Sequence, residues 1–334
     1  MLVALTTIAL YARGDSLLQT TPSHLLTLDL PPGIRYTLNG RTNRRNADHL
    51  MKTQSIDTSP DAERVLIDMI RRASFTRRFS FVQSWSHAMI EGGRINVQQL
   101  YPQADEQEAL LLYFERHYGK NLIDELRAAL QERDVHPSGI PDFLATLAPL
   151  FEALDSLGVP CALGGSLASS LYGMQRATLQ LDVVAALGPR QSIPLRQQLV
   201  SKYFFRQHEV QAALQQGTFF TLIHLESLLK VVVSLPGARA FDQEMLGRAH
   251  PLVLAEGSHP VRVLSPEDVA VLLLEQFKSS GERADDVWYG LLGLLKVQGS
   301  TVHLAALERL VAQLDVPLLL ARALVDAGLK AEGS

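Results

Sequence analysis

The stretch LGVPCALGGSLASSLYGMQRATLQLDVV, residues 157–184, decides how this chain is read. VPCALGG is a short apolar strand closed by two glycines, and Ser166 then opens the short helix SLASSLYG. The glycines permit positive φ and close backbone approach, and a helix N-terminus offers free N–H groups to a phosphate. Residues 177–187, ATLQLDVVAAL, alternate as a strand: Leu179, Leu181 and Val183 take one face, Gln180 and Asp182 the other. The order strand, glycine turn, helix, strand predicts that Gln180 and Asp182 share a face within reach of Gly164, Gly165 and Ser166.

Working outward, PDFLATLAPLFEALDSLG (141–158) is an amphipathic helix ending at Gly158. Downstream, SIPLRQQLVSKY is helical, TFFTLIHL and KVVVSL are strands, and FDQEMLGRA is helical. PLVLA and VRVL form two strands around the turn EGSHP, and helical segments fill the rest of the chain. Upstream, PDAERVLIDMIRRAS, SFVQSWSHAMIEGG (ending at the pair Gly92–Gly93) and the run 104–132, broken near Gly119, make an all-helical module. The resulting division is a leader over 1–59, a helical module over 60–135, a linker HPSGI at 136–140, an α/β domain over 141–262 and a helical subdomain over 263–330. The fold class is α/β (α+β) with a mixed sheet.

The central stretch resembles the nucleotidyltransferase superfamily, in particular bacterial nucleotidyltransferase-like proteins related to abortive-infection and toxin–antitoxin systems. The residues that carry the likeness are Gly164, Gly165, Ser166, Ala168, Ser169, Gly173, Arg176, Thr178 and Asp182. It extends through TFFTLIHLESLLKVVV, SPEDVAVLLLEQF and VWYGLLGLLKVQG. The resemblance implies two-metal nucleotidyl transfer: carboxylates at i and i+2 of one strand and a third on a neighbour hold divalent ions, and the Gly-Gly-Ser turn with Arg176 holds phosphates.

Against that pattern the chain is deficient. Gln180 stands at the first carboxylate position, Asp182 at the second, and Val232 at the third. Leu273 and Gly290 stand where relatives have a lysine and an aspartate. A neutral amide supplies no charge to balance Mg²⁺, and valine supplies no ligand. The expectation is a catalytically degenerate member that binds a nucleotide or a protein encoded nearby within a bacterial defence or toxin–antitoxin-like system, with Asp182 as at most a weak metal ligand. The alternative is an active, Mg²⁺-dependent enzyme moving a nucleoside monophosphate from a nucleoside triphosphate onto a protein or RNA. In that case Glu226, an even six residues before Val232, supplies the third carboxylate from the same strand face.

A further alternative is a nucleic-acid-binding accessory role through the arginines Arg41, Arg44, Arg45, Arg71, Arg72, Arg77 and Arg78. A net charge of −4 gives no global support for that partner, so nucleic acid is not expected. The single thiol, Cys161, lies in an apolar run and forms no intramolecular disulfide, in keeping with a cytoplasmic location. The apolar N-terminus MLVALTTIAL is too short to span a bilayer and lacks a preceding basic region, so residues 1–59 are expected to be a disordered leader or an over-extended start, with Met51 as a second initiator; a short hydrophobic anchor is the alternative. His224 reads as a structural histidine, and Glu267 and Asp268 as acids of a helix first turn capped by Ser265, with Pro266 at its first position.

Overall fold

The computed structural model describes residues 51–329. Within these residues four helices lead: α1 (Pro60–Arg72), α2 (Phe75–Leu100), α3 (Glu106–Tyr118) and α4 (Lys120–Glu132). Each of the first three starts where the sequence supplies a cap: Ser59, Ser74 and Asp105 accept from backbone N–H groups three residues on. Gly119, at φ 87°, separates α3 from α4. The pair Gly92–Gly93 does not end a helix as the sequence suggested, for α2 runs through it. Gly93 instead makes room for the Tyr113 ring, which a Cβ there would meet at 2.0 Å.

After α5 (Phe143–Ser156), the chain builds β1 (Cys161–Gly164), α6 (Gly165–Tyr172), β2 (Gln180–Ala185), α7 (Ser192–Leu199), β3 (Tyr203–Phe204), α8 (Gln207–Gln216), β4 (Phe219–His224) and β5 (Lys230–Ser234). Then come α9 (Ala240–Arg248), β6 (His250–Leu252), β7 (Val261–Val263), α10 (Pro266–Ser279), α11 (Asp285–Gln298), α12 (Leu304–Ala312) and α13 (Pro317–Asp326). The seven strands form one mixed sheet in the order β3-β4-β5-β2-β1-β7-β6, and the fold is mixed α/β as the sequence pattern implied. The short strand β3 and the helix α8 have no counterpart in the sequence reading.

Alternation decides what each sheet face does. Leu181, Val183, Val231, Val233, Phe220 and Leu222 are buried on one face, where Tyr203 and His224 meet Thr146 of α5. Gln180, Asp182, Lys230, Val232 and Thr221 point to the other face and are only partly covered.

The helices of 60–132 are not a separate module in space. Phe79, Val82, Leu110 and Phe114 belong to one cluster of buried side chains with the sheet and the C-terminal helices. Phe79 packs edge-on against Phe143, and Arg78 donates to the carbonyls of Ile70 and Leu171. Segment 51–59, grouped with the leader on sequence grounds, is also fastened to the fold. Gln54 donates its backbone N–H to Glu63 at 2.7 Å, and Lys52 donates its own to the carbonyl of Asp326 at 2.9 Å. Glu63 and Lys296 form an ion pair of 2.6 Å with both side chains buried, and Lys296 also donates to the carbonyl of Lys52. Residues 1–50, with Arg41, Arg44 and Arg45, lie outside the described residues. Among the described residues no helix is long and apolar enough to cross a membrane.

Candidate functional site

The turn between β1 and α6 is built around a carboxylate. Gly164 pairs with Asp182 across the antiparallel β1–β2 ladder, so the strand residue faces the turn. Gly165 adopts φ 57°, and a Cβ on it would stand 2.0 Å from Asp182 Oδ2. No side chain fits there while Asp182 keeps its place. The backbone N–H of Ser166 donates to Asp182 Oδ2 at 3.4 Å, and Gln180 Nε2 donates to Oδ1 at 2.6 Å. Asp182 is thus the anion of the α6 N-terminus, the place a phosphate would otherwise take. Burial pushes its pKa up, while the Gln180 amide, the Ser166 N–H and the nearby Lys230 charge pull it down; the net direction is up.

A hydroxyl network steadies the same turn. Ser166 Oγ lies 3.0 Å from Thr178 Oγ1, and Thr178 donates to the carbonyl of Gln180 at 2.8 Å. The N–H of Thr178 donates to Ser86 Oγ at 2.9 Å, and Tyr118 Oη donates to the carbonyl of Leu179 at 3.0 Å. Two helices of the N-terminal part therefore hold the entry to β2.

Across the parallel β2–β5 pair, Gln180 lies opposite Lys230 and Asp182 opposite Val232. The residues at the three carboxylate positions converge on one face, and the only acid among them is Asp182. Its oxygens already accept from Gln180 and Ser166, Val232 offers no donor atom, and the charge acting on it is the Lys230 ammonium. That donor set does not fit a divalent cation. Among the described residues no group of three His, Cys, Asp or Glu side chains is placed to hold a metal.

Glu226 does not complete the set. The even offset to Val232 supposed an unbroken strand, but β4 ends at His224 and the chain turns over Leu225–Ser227, with Leu228 at φ 59°. Strand alternation does not carry through such a turn. Glu226 is exposed, and its carbonyl accepts from the N–H groups of Ser138 and Gly139. Arg176 is exposed beside the start of α11. Its guanidinium donates to the carbonyl of Asp286 at the start of α11 and lies 3.9 Å from where a Gly290 Cβ would be. Leu273 is buried in the core.

No family model and no curated protein matches the chain. Among solved structures, the chain is similar to an antigenic nucleotidyltransferase-like protein from Paracoccidioides brasiliensis. Identity is 19% over 57% of this chain and 95% of that one, with a TM-score of 0.33. It is also similar to the antibiotic-resistance factor ANT(2'')-Ia, at 13% identity over 53% of this chain and 94% of that one, with a TM-score of 0.32. Likeness at this level carries nothing about the site, which rests on its own geometry.

The remaining candidates have structural employment. His224 Nδ1 accepts from the Ser227 N–H at 3.3 Å and lies 2.9 Å from Ser227 Oγ, and burial lowers its pKa. Ser265 caps α10, and Asp268, fully buried, takes Arg248 at 2.7–3.1 Å. Glu267 accepts from the N–H of His303 at 2.9 Å. Burial pushes the Cys161 thiol up to about 11. Of the basic run, Arg71 is spent on the carbonyls of Lys296 and Val297, Arg77 lies over the Phe81 ring, and Arg78 is buried. The residue the sequence reading passed over is Lys230, which opens the strand KVVVSL. Its even offset from Val232 was the available signal for its face.

Proposed function

We propose that this chain is a nucleotidyltransferase-fold protein without metal-dependent transfer activity, working as a binding component of a bacterial defence or toxin–antitoxin-like system. The observation that supports silence of the site is the commitment of Asp182: the one carboxylate on the open face is the counter-charge of the Gly164–Ser166 turn. A triphosphate arriving at that turn meets a carboxylate where it needs N–H donors. This favours a protein partner over a nucleotide as the principal ligand. The defence setting derives from the sequence resemblance alone.

The test is incubation with labelled nucleoside triphosphates and Mg²⁺ or Mn²⁺, alone and with the products of neighbouring genes. The expected result is no label on protein or RNA, with stable association to one of those products. Label transfer that depends on Asp182 overturns the proposal.

A further inference from the structure

Beside the turn, on the far side of Lys230 from β2, the open sheet face carries a second feature. A pocket of about 220 Å³ is walled by His117, Tyr118, Phe204 and Phe205, with Thr221 and Lys230 among its polar lining. The Lys230 ammonium lies 5.3 Å from the centre of the Tyr118 ring. Within the described residues it makes no hydrogen bond and no ion pair; the Asp182 charge acts on it only through space. The other cation of the lining, Arg206, is already neutralised by Glu125 at 2.7 and 2.9 Å and Glu209 at 2.8 Å. A half-buried ammonium with unused donors, at the edge of an aromatic slot, is an anion receptor.

We propose that this pocket binds a small planar anion, a ring bearing one carboxylate or phosphate group, with Lys230 as its charge partner. The aromatic walls suit a flat ring, Thr221 supplies a hydroxyl, and the volume admits a ring but not a nucleoside triphosphate. No divalent cation takes part, because the ammonium supplies the charge. Burial lowers the pKa of Lys230, and an anion beside it would restore the usual range. The walls of the pocket do not include the Gly164–Ser166 turn, so its occupancy is tested apart from nucleotide transfer.

The experiment titrates the full chain calorimetrically, in the presence of a chelator, with benzoate, phenyl phosphate and the neutral benzyl alcohol. One of the two anionic rings binds, and which one does identifies the headgroup. Benzyl alcohol binds at least about tenfold more weakly, and Lys230→Met loses about tenfold or more of the anion's affinity, the scale of one charge-assisted hydrogen bond. Reductive methylation of the wild-type protein gives a readout that needs no variant: the bound anion slows modification of Lys230 selectively. The proposal is overturned if neither anion binds at millimolar concentration, if the neutral ring binds equally well, or if Lys230 is not protected. None of these outcomes bears on nucleotide transfer, so the two proposals fail separately.

Discussion

The carboxylate of Asp182 lies against the Cα of Gly165, so close that a Cβ there would be 2.0 Å from Oδ2. A strand residue and a turn glycine thereby require each other. Gly165 is held at φ 57° because the chain must pass under the carboxylate, and Asp182 is held because the turn presents an N–H to it. The dipole of a short helix is completed inside the protein, and what resembles a phosphate cradle is a self-satisfied cap.

Gly165→Ala should lower stability by roughly 2–3 kcal/mol, combining a left-handed backbone with displacement of Asp182. Asp182→Ala alone should cost about 1 kcal/mol as a lost cap. The double variant should lose less than the sum, because removing the carboxylate frees the space that alanine needs. Urea denaturation of the four proteins measures the coupling. Strict additivity would show that the two residues do not share that space.

Segment 51–58 should matter to the fold. Its Gln54 N–H and Lys52 carbonyl satisfy Glu63 and Lys296, an ion pair with both members buried. A chain that starts at Ser59 leaves that pair short of partners, at a cost of about 1–3 kcal/mol for each buried group left unsatisfied. Compared with a chain starting at Met51, its melting temperature should fall by several degrees. Equal melting would mean that water replaces these contacts without loss.

Much of this architecture was legible because alternation and caps are local. Leu181 and Val183 against Gln180 and Asp182 give the two sheet faces, and Ser265 followed by Pro266 marks a helix start at its place. What could not be read depends on distant partners. Gly93 reads as a helix end until Tyr113, twenty residues on, is known to lie against it. Tyr118 and Ser86 carry no sign that they fasten the entry to β2, and Glu226 keeps the phase of a strand only if the turn at Leu225–Ser227 is not there. The texture change at Pro141 suggested a domain boundary, yet burial runs across it from Phe79 to Phe143.

Acid should weaken the fold through His224. Burial lowers its pKa below 6.5, and its Nδ1 accepts a backbone N–H, so the native state disfavours the proton. The unfolded chain then binds more protons, and stability falls as pH drops from 6.5 through the native value. His117, also lowered by burial, adds in the same direction. Denaturant midpoints at pH 7 and pH 5 should therefore differ more in the wild type than in His224→Gln. An equal difference in both proteins would assign the acid sensitivity to other groups.

The sharpest expectation concerns restored charge. Changing Gln180 and Val232 to aspartate places three carboxylates on one sheet face, since residue 180 pairs with Lys230 and residue 182 with residue 232 across β2 and β5. Without metal the double variant should be less stable than the wild type. It loses the Gln180 donor to Asp182, and neighbouring like charges on one face cost up to about 1 kcal/mol per pair. Lys230 offsets part of that repulsion, so the loss should be smaller than in a triple variant that also carries Lys230→Met. Mn²⁺ should then raise the melting temperature of the double variant and leave the wild type unmoved, because binding to the native state alone adds about 2.7 kcal/mol at a hundredfold excess over Kd. Nucleotide transfer need not return, since Leu273 is buried and position 290 faces Ser169 and Arg176 rather than an added carboxylate. Strong stabilisation of the wild type by Mn²⁺, together with label transfer, would mean that a group other than these three completes a working site, and the silent reading of Asp182 would fall.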